Sequence, residues 1–132
     1  MIYSRYVQVS DIFIFTVNPW QDETLVVNEG LWLGETVREG YSELPEGWGI
    51  MTFNNDDQYK RLKYEGEMVG GMMQGHGTLW WQDGSYYTGQ FDHNMKNDNG
   101  AIFYSNGDIY TGTWNEEKKN DQSGMYLFGQ GI

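Results

Sequence analysis

The sequence predicts an all-β protein: stacked antiparallel β-hairpins of repeated design, forming an elongated single sheet or solenoid with capping strands at its N-terminal end. Three observations carry this. A Tyr-x-Gly-x-(large apolar) pentad returns at a fixed interval, Tyr64 to Met68, Tyr87 to Phe91 and Tyr110 to Trp114, with successive tyrosines 23 residues apart. A period of roughly 20–50 residues is the signature of a stacked-repeat architecture. A second set of columns keeps the same beat: Gly77 with Gly100, Leu79 with Ile102, Trp81 with Tyr104, and Gly84 with Gly107. The composition agrees, with 6 Trp, 10 Tyr, 6 Phe and 18 Gly in 132 residues, since large rings supply much buried area per residue to a thin core.

Taken in order, residues 1–29 read as capping strands. Ile2 to Val9 and Asp11 to Val17 are rich in β-branched and aromatic residues, and Thr24 to Val27 forms a further short strand. Terminal units of a stack are commonly atypical and close its open end; a partner-binding arm is the alternative use of this segment. Residues 30–132 form the array, with a degenerate unit at 30–63 and regular units at 64–86, 87–109 and 110–132. The degenerate unit carries about four extra residues in the loop from Val37 to Glu46 and an expanded turn from Asn54 to Gln58. Insertions in such arrays map to loops on one face, which is either a binding face or solvated drift.

Within a regular unit, Tyr64, Gly66 and Met68 alternate with Glu65 and Glu67. A strand places the two sets on opposite faces. Asp83-Gly84 and Asn106-Gly107 predict two-residue primed turns between strands. Glycine inside a strand weakens it, so its regular return has a packing reason. Gly66, Gly89 and Gly112 are expected to leave room for a ring from a neighbouring hairpin. The predicted repeat core is Tyr64, Gly66, Gly77, Tyr87, Gly89, Gly100, Tyr110, Gly112 and Trp114. On the opposite face the second strands present Trp80, Phe103 and Leu127. These three and Trp48 are the candidate partner-binding surface, unless a second layer such as the N-terminal cap covers them.

Tyr64-Glu-Gly-Glu67, Gly75-His-Gly-Thr78, the pair Trp80-Trp81, Asp83-Gly84 and the next Tyr-x-Gly together resemble the MORN repeat (membrane occupation and recognition nexus). The resemblance is strong over 64–114 and fair over 115–132, where Gly124 falls one position late. It is degraded over 32–63, where Trp32-Leu-Gly-Glu35 fits only with about nine inserted residues, and absent over 1–28. It implies a stack of β-hairpins without catalytic residues, serving as an assembly module of cytoskeletal, ciliary or membrane-associated complexes. It also implies two alternatives, a regulatory subunit of an enzyme complex and a phosphoinositide- or membrane-surface-binding module.

The formal charge is −11. Nucleic acids and anionic lipids attract basic patches, so nucleic acid is excluded as a partner and a membrane surface is disfavoured. The absence of cysteine removes thiolate metal sites, thiol nucleophiles and disulfides. No run approaches the roughly 20 apolar residues of a spanning helix, and no signal peptide stands out, so the expected setting is cytoplasmic.

Enzymatic chemistry finds little support. His76 and His93 share no ligand spacing with each other. Glu65 and Glu67 read as solvated decoration rather than a carboxylate pair across a cleft. Asn54 to Asp57 and Asn97 to Gly100 lack the closing glutamate of a calcium loop. Gly70-Gly71 and the Gly75-x-Gly77 stretch lack the Lys-Ser/Thr of a phosphate loop. The expectation is therefore a non-enzymatic scaffold with no catalytic residue, metal or cofactor. It would bind a protein partner, or a second copy through an open C-terminal edge.

Overall fold

Alternation of apolar and polar residues commits the longer segments to strands with one buried face. The computed structural model describes residues 24–119 and 124–129, and the strands predicted within residues 1–23 lie outside that range. The described residues contain ten strands: β1 (Thr24–Val27), β2 (Gly30–Glu39), β3 (Ser42–Phe53), β4 (Arg61–Val69), β5 (Met72–Trp81), β6 (Tyr86–Asp92), β7 (Met95–Phe103), β8 (Ile109–Asn115), β9 (Lys118–Lys119) and β10 (Met125–Leu127). All belong to one antiparallel sheet, in the spatial order β1 to β8 followed by β10, with β9 pairing the far end of β8. The protein is all-β, and no helix occurs among the described residues. β10 covers part of the outer edge of β8.

One row of side chains crosses the sheet from Leu25 through Trp32, Met51, Tyr64, Leu79, Tyr87, Ile102 and Tyr110 to Tyr126. Every member but Tyr126 is buried. Two residues along the strands, a row of seven glycines runs parallel to it: Gly34, Gly49, Gly66, Gly77, Gly89, Gly100 and Gly112. The rings of the first row lie down over the glycines of the second. A Cβ on Gly77 would overlap the ring of Tyr64, one on Gly100 the ring of Tyr87, and one on Gly124 the ring of Tyr110. Trp32 does the same over Gly34 and Gly49, so the degenerate unit substitutes a tryptophan for the tyrosine.

The filling ring therefore comes from the glycines' own hairpin, not from the neighbouring one that the spacing suggested. A strand spacing of about 4.8 Å leaves a tyrosine long enough to reach only its own pair of glycines. The neighbour's contribution is the fifth residue of the pentad. Phe91 packs edge-on between Tyr64 (5.4 Å, 89°) and Tyr87 (5.0 Å, 83°), and Trp114 between Tyr87 (5.5 Å, 87°) and Tyr110 (5.4 Å, 85°). Edge-to-face pairs add about 0.5–1.5 kcal/mol each beyond area burial. This chain of rings binds one unit to the next.

The tyrosine hydroxyl has a second task. The ladder slips between Gly34 and Thr36, between Gly66 and Met68, and between Gly89 and Phe91, so each bulge interrupts the pairing. Three residues beyond the ring lies the carbonyl it meets. Trp32 Nε1 donates to Glu35 O (2.8 Å), Tyr64 OH to Glu67 O (2.6 Å) and Tyr87 OH to Gln90 O (2.8 Å). Burial pushes both phenols, Tyr64 and Tyr87, well above the usual tyrosine range. They remain neutral donors.

The turns reverse the sequence expectation. The two-residue primed turns occur inside each unit, at Gly70-Gly71, His93-Asn94 and Glu116-Glu117, where both residues have positive φ. Asp83-Gly84 and Asn106-Gly107 sit in wider connections closed by Trp81 N to Ser85 O and Tyr104 N to Asp108 O, and in each only the glycine is left-handed. Asp83 and Asn106 accept hydrogen bonds from the backbone N–H two residues on, which holds this wider form. The insertion at 37–46 is likewise no loop. It lengthens β2 and β3 into a projecting arm, with Glu39 opposite Ser42 and Tyr41 fully exposed at the tip.

The primed tips staple consecutive units. Gly71 N donates to Pro45 O (2.9 Å), Asn94 N to Met73 O (3.0 Å) and Glu117 N to Lys96 O (2.8 Å). Asn94 and Glu117 also accept from the N–H of Met73 and Lys96, respectively.

Two outcomes follow from this packing. Gly100→Ala should lose several kcal/mol, because its Cβ and the Tyr87 ring cannot share the space. Tyr87→Phe should lose about 1–3 kcal/mol, the usual range for an orphaned buried acceptor, in urea titration monitored by fluorescence. Wild-type stability in both would contradict the arrangement. At the tip, Glu116→Gly should raise stability by up to about 1 kcal/mol by relieving a left-handed glutamate, whereas Glu117→Ala should lower it; thermal melts of the pair decide.

Candidate functional site

Two surfaces remain after the core is assigned. On the buried-ring side, cations cover the aromatics at matched positions. Lys96 Nζ lies 5.3 Å from the Trp114 ring, 5.4 Å from Trp81 and 5.7 Å from Tyr87, and pairs with Glu117. Lys119, 23 residues on, sits 4.8 Å from Tyr110 and 5.3 Å from both Tyr104 and Tyr126. In the degenerate unit Arg61 lies 4.0 Å from Phe53 and holds Asp57 through two side-chain hydrogen bonds of 2.9 and 2.7 Å. The matched spacing of Lys96 and Lys119 was legible in the sequence and passed unread. A shallow groove between Arg61 and Lys96, edged by Tyr59, Trp81 and Glu117, lies on this side. Its cations are already engaged by carboxylates and rings, so they act as a lid on the core.

Asp57 shows this structural use most clearly. It is buried, accepts from the Tyr59 and Arg61 backbone N–H groups and binds the Arg61 guanidinium. The hydrogen bonds from Arg61 hold its carboxyl below the usual carboxylate range, against the opposing cost of burial.

The opposite side of the sheet is different in kind. Its first row runs Lys63, Trp80, Tyr86, Phe103, Ile109, Leu127. Tyr86 and Phe103 stack at 4.6 Å and 12°, Trp80 lies 6.1 Å from Tyr86, and Lys63 Nζ caps the stack 4.6 Å from Trp80. The second row runs Glu65, Thr78, Thr88, Ala101, Thr111, Met125, with Thr78 and Thr88 hydrogen-bonded at 3.0 Å. From β5 to β10 these two rows carry no charge. The third row is polar: Glu67, His76 with Gln90, and Asn99 with Thr113.

The candidate residues Trp80, Phe103 and Leu127 therefore fall in one row. Trp80 and Phe103 are half-buried by their row neighbours, and Leu127 is 45 % exposed. Trp48, 56 % exposed, shares the face but stands opposite Glu67 in the third row, away from the stack. Sequence reasoning missed Tyr86 and Ile109. The signal for Tyr86 was available, since the residue before a core tyrosine must face the other way. Among the described residues every strand lies in this one sheet, so no second strand layer covers either face.

Among the described residues no group of three or more His, Asp or Glu is placed to hold a metal ion. His93 Nδ1 lies 2.7 Å from Asp92, exposed at a hairpin tip. The His76 ring lies 3.4 Å from Gln90, and its backbone N–H donates to Glu67. No helix among these residues is long and apolar enough to cross a membrane.

Comparison with known families finds a match within the array. The family model described as MORN repeat fits residues 64–86, the unit from Tyr64 to the residue before Tyr87.

The Asp57–Arg61 assignment can be checked by pH. Because the folded pKa is lowered, the carboxylate contributes stability above its unfolded value near 3.8 and loses it as pH falls through the folded value. Asp57→Asn should melt below wild type at neutral pH, and the gap should close below about pH 4. A gap unchanged into strong acid would remove the pair from the account.

Proposed function

As this chain is a MORN-repeat protein, we propose that it is a non-enzymatic binding module that docks a partner protein on the far face of its sheet. The single observation that supports this is the uncharged aromatic and threonine band from Trp80 to Leu127 in a chain of net charge −11. A soluble acidic chain has many carboxylates to spend on exposed positions, and a contiguous band without them is the pattern of an interaction surface. MORN-repeat proteins are generally modules of this kind rather than catalysts. The ring-side groove supports docking less well, because its cations are occupied within the chain.

The reading is tested with the full chain as bait in native extract and quantitative mass spectrometry. Phe103→Glu should abolish retention of a discrete protein set, while Tyr59→Ala, in the groove of the other side, should leave that set in place. Identical capture by all three baits would refute far-face docking. Anionic vesicles containing phosphatidylserine and phosphoinositide should fail to float the chain; flotation would favour a membrane surface instead.

A further inference from the structure

We propose that the partner element received by the far-face band is an amphipathic α-helix with lysine or arginine along both flanks. This deepens the reading above and rests on it. The argument comes from the width, length and margins of the band.

The uncharged band is two rows wide, and the third row turns polar at Glu67, His76 and Gln90. Alternate residues of a strand are about 7 Å apart, so the apolar width is that of one helix stripe. A second β-sheet, whether from another protein or a second copy of this chain, would press an apolar layer over all three rows and bury the polar one. An extended strand gains its affinity from free backbone groups at a sheet edge, and the central strands here have spent theirs on each other. Sheet faces otherwise take helices. From β5 to β10 the band crosses four strand spacings of about 4.8 Å, hence about 19 Å, which about 13 helical residues span.

The margins select the flanks. Asp83 stands in the connecting turn along one side, whereas Asp108 in the next turn is held by Tyr126 OH and the Gly129 N–H. Glu67 and Asp92 stand along the other. Hydrogen bonds hold two of these carboxyls below their usual range, Asp83 by Ser85, and Asp92 by Gln74 and His93, so they stay ionised at neutral pH. Lys63 over Trp80 ends the band at the β4 side and repels a basic flank from running further. The net charge of −11 also steers a cationic segment toward the chain, an effect that salt screens.

The test uses three synthetic helical peptides of equal length with the full chain. One is amphipathic with Lys flanks, one has the same residues scrambled, and one has the same apolar stripe with Glu flanks. Isothermal titration at low salt should show the Lys-flanked peptide binding about tenfold or more tighter than its scramble, a difference of about 1.4 kcal/mol. The Glu-flanked peptide should not bind. Phe103→Glu and Ala101→Arg should each weaken the Lys-flanked peptide about tenfold. The two substitutions change charge in opposite directions, so a shared loss reports the band and not the field; melts confirm that both variants fold. Equal binding of the scramble, or indifference to both substitutions, overturns the proposal. So does a concentration-dependent dimer that both substitutions dissolve, which would make a second copy the occupant. If the peptides fail while extract proteins still depend on Phe103, the helix is wrong and protein docking stands.

Discussion

A tyrosine ring laid over two paired glycines is the interaction on which this sheet depends. A single layer of strands has no second layer to bury its rings against, so it must make depth within its own thickness. Removing every Cβ along one row creates a trough, and laying the neighbouring row of rings into that trough fills it. The result is a core one ring deep, in which Trp32, Tyr64 and Tyr87 are fully buried within a single sheet. Glycine inside strands would ordinarily cost stability. Here its cost is offset by ring burial at about 25 cal/mol per Å2 of apolar surface, and by the bond from the ring's own polar end to a carbonyl at the bulge.

The same geometry explains how units join. Rings and glycines close within a hairpin, so on their own they would give independent hairpins, and an isolated hairpin is marginal in water. Continuity comes from the pentad's fifth residue, Phe91 or Trp114, wedged edge-on between successive tyrosines. It comes also from each primed tip reaching back to the preceding unit. The tips show a graded solution to one backbone demand. Gly70-Gly71 meets positive φ without strain, His93-Asn94 uses a residue that tolerates it, and Glu116-Glu117 accepts strain while the Glu117 side chain holds Lys96.

The repeat was legible in the sequence because its column residues are chemically narrow. Only glycine fits beneath the ring, and only an aromatic fills the trough, so the ring-over-glycine pattern persists even at Trp32, where the insertion stretches the interval to Tyr64 to 32 residues. The connection chemistry was misread for an equally physical reason. Asp83-Gly84 and Asn106-Gly107 have the dipeptides of a primed turn, but their carboxyl and amide groups hold the backbone two residues on and widen the loop. Glu116-Glu117 carries no turn signal, because its stability is tertiary. The direction of the ring was also beyond periodicity. Spacing says that an aromatic must meet a glycine, whereas strand separation and ring length decide that it meets its own. For the far face, alternation alone makes Trp80, Phe103 and Tyr86 readable as facing away from the core, while register places Tyr86, Phe103 and Ile109 in the same row.

These constraints divide the chain between two jobs. Core-side positions are fixed by the trough, and substitution there is a change of stability. Alternate positions feel no such demand, so their identity is free to be set by something else. On a solvated sheet of an acidic protein that freedom would fill them with charge, as it does at Glu65 and Glu67 on β4. From β5 onward the row that begins with Lys63 on β4 holds Trp80, Tyr86, Phe103, Ile109 and Leu127, and none of them is charged. The folding rule requires Tyr87 and says nothing about Tyr86, whose ring packs instead on Phe103 and Trp80 in the face proposed for docking. A contiguous set of such unforced choices, in register across neighbouring strands, is what supports the docking proposed for this face.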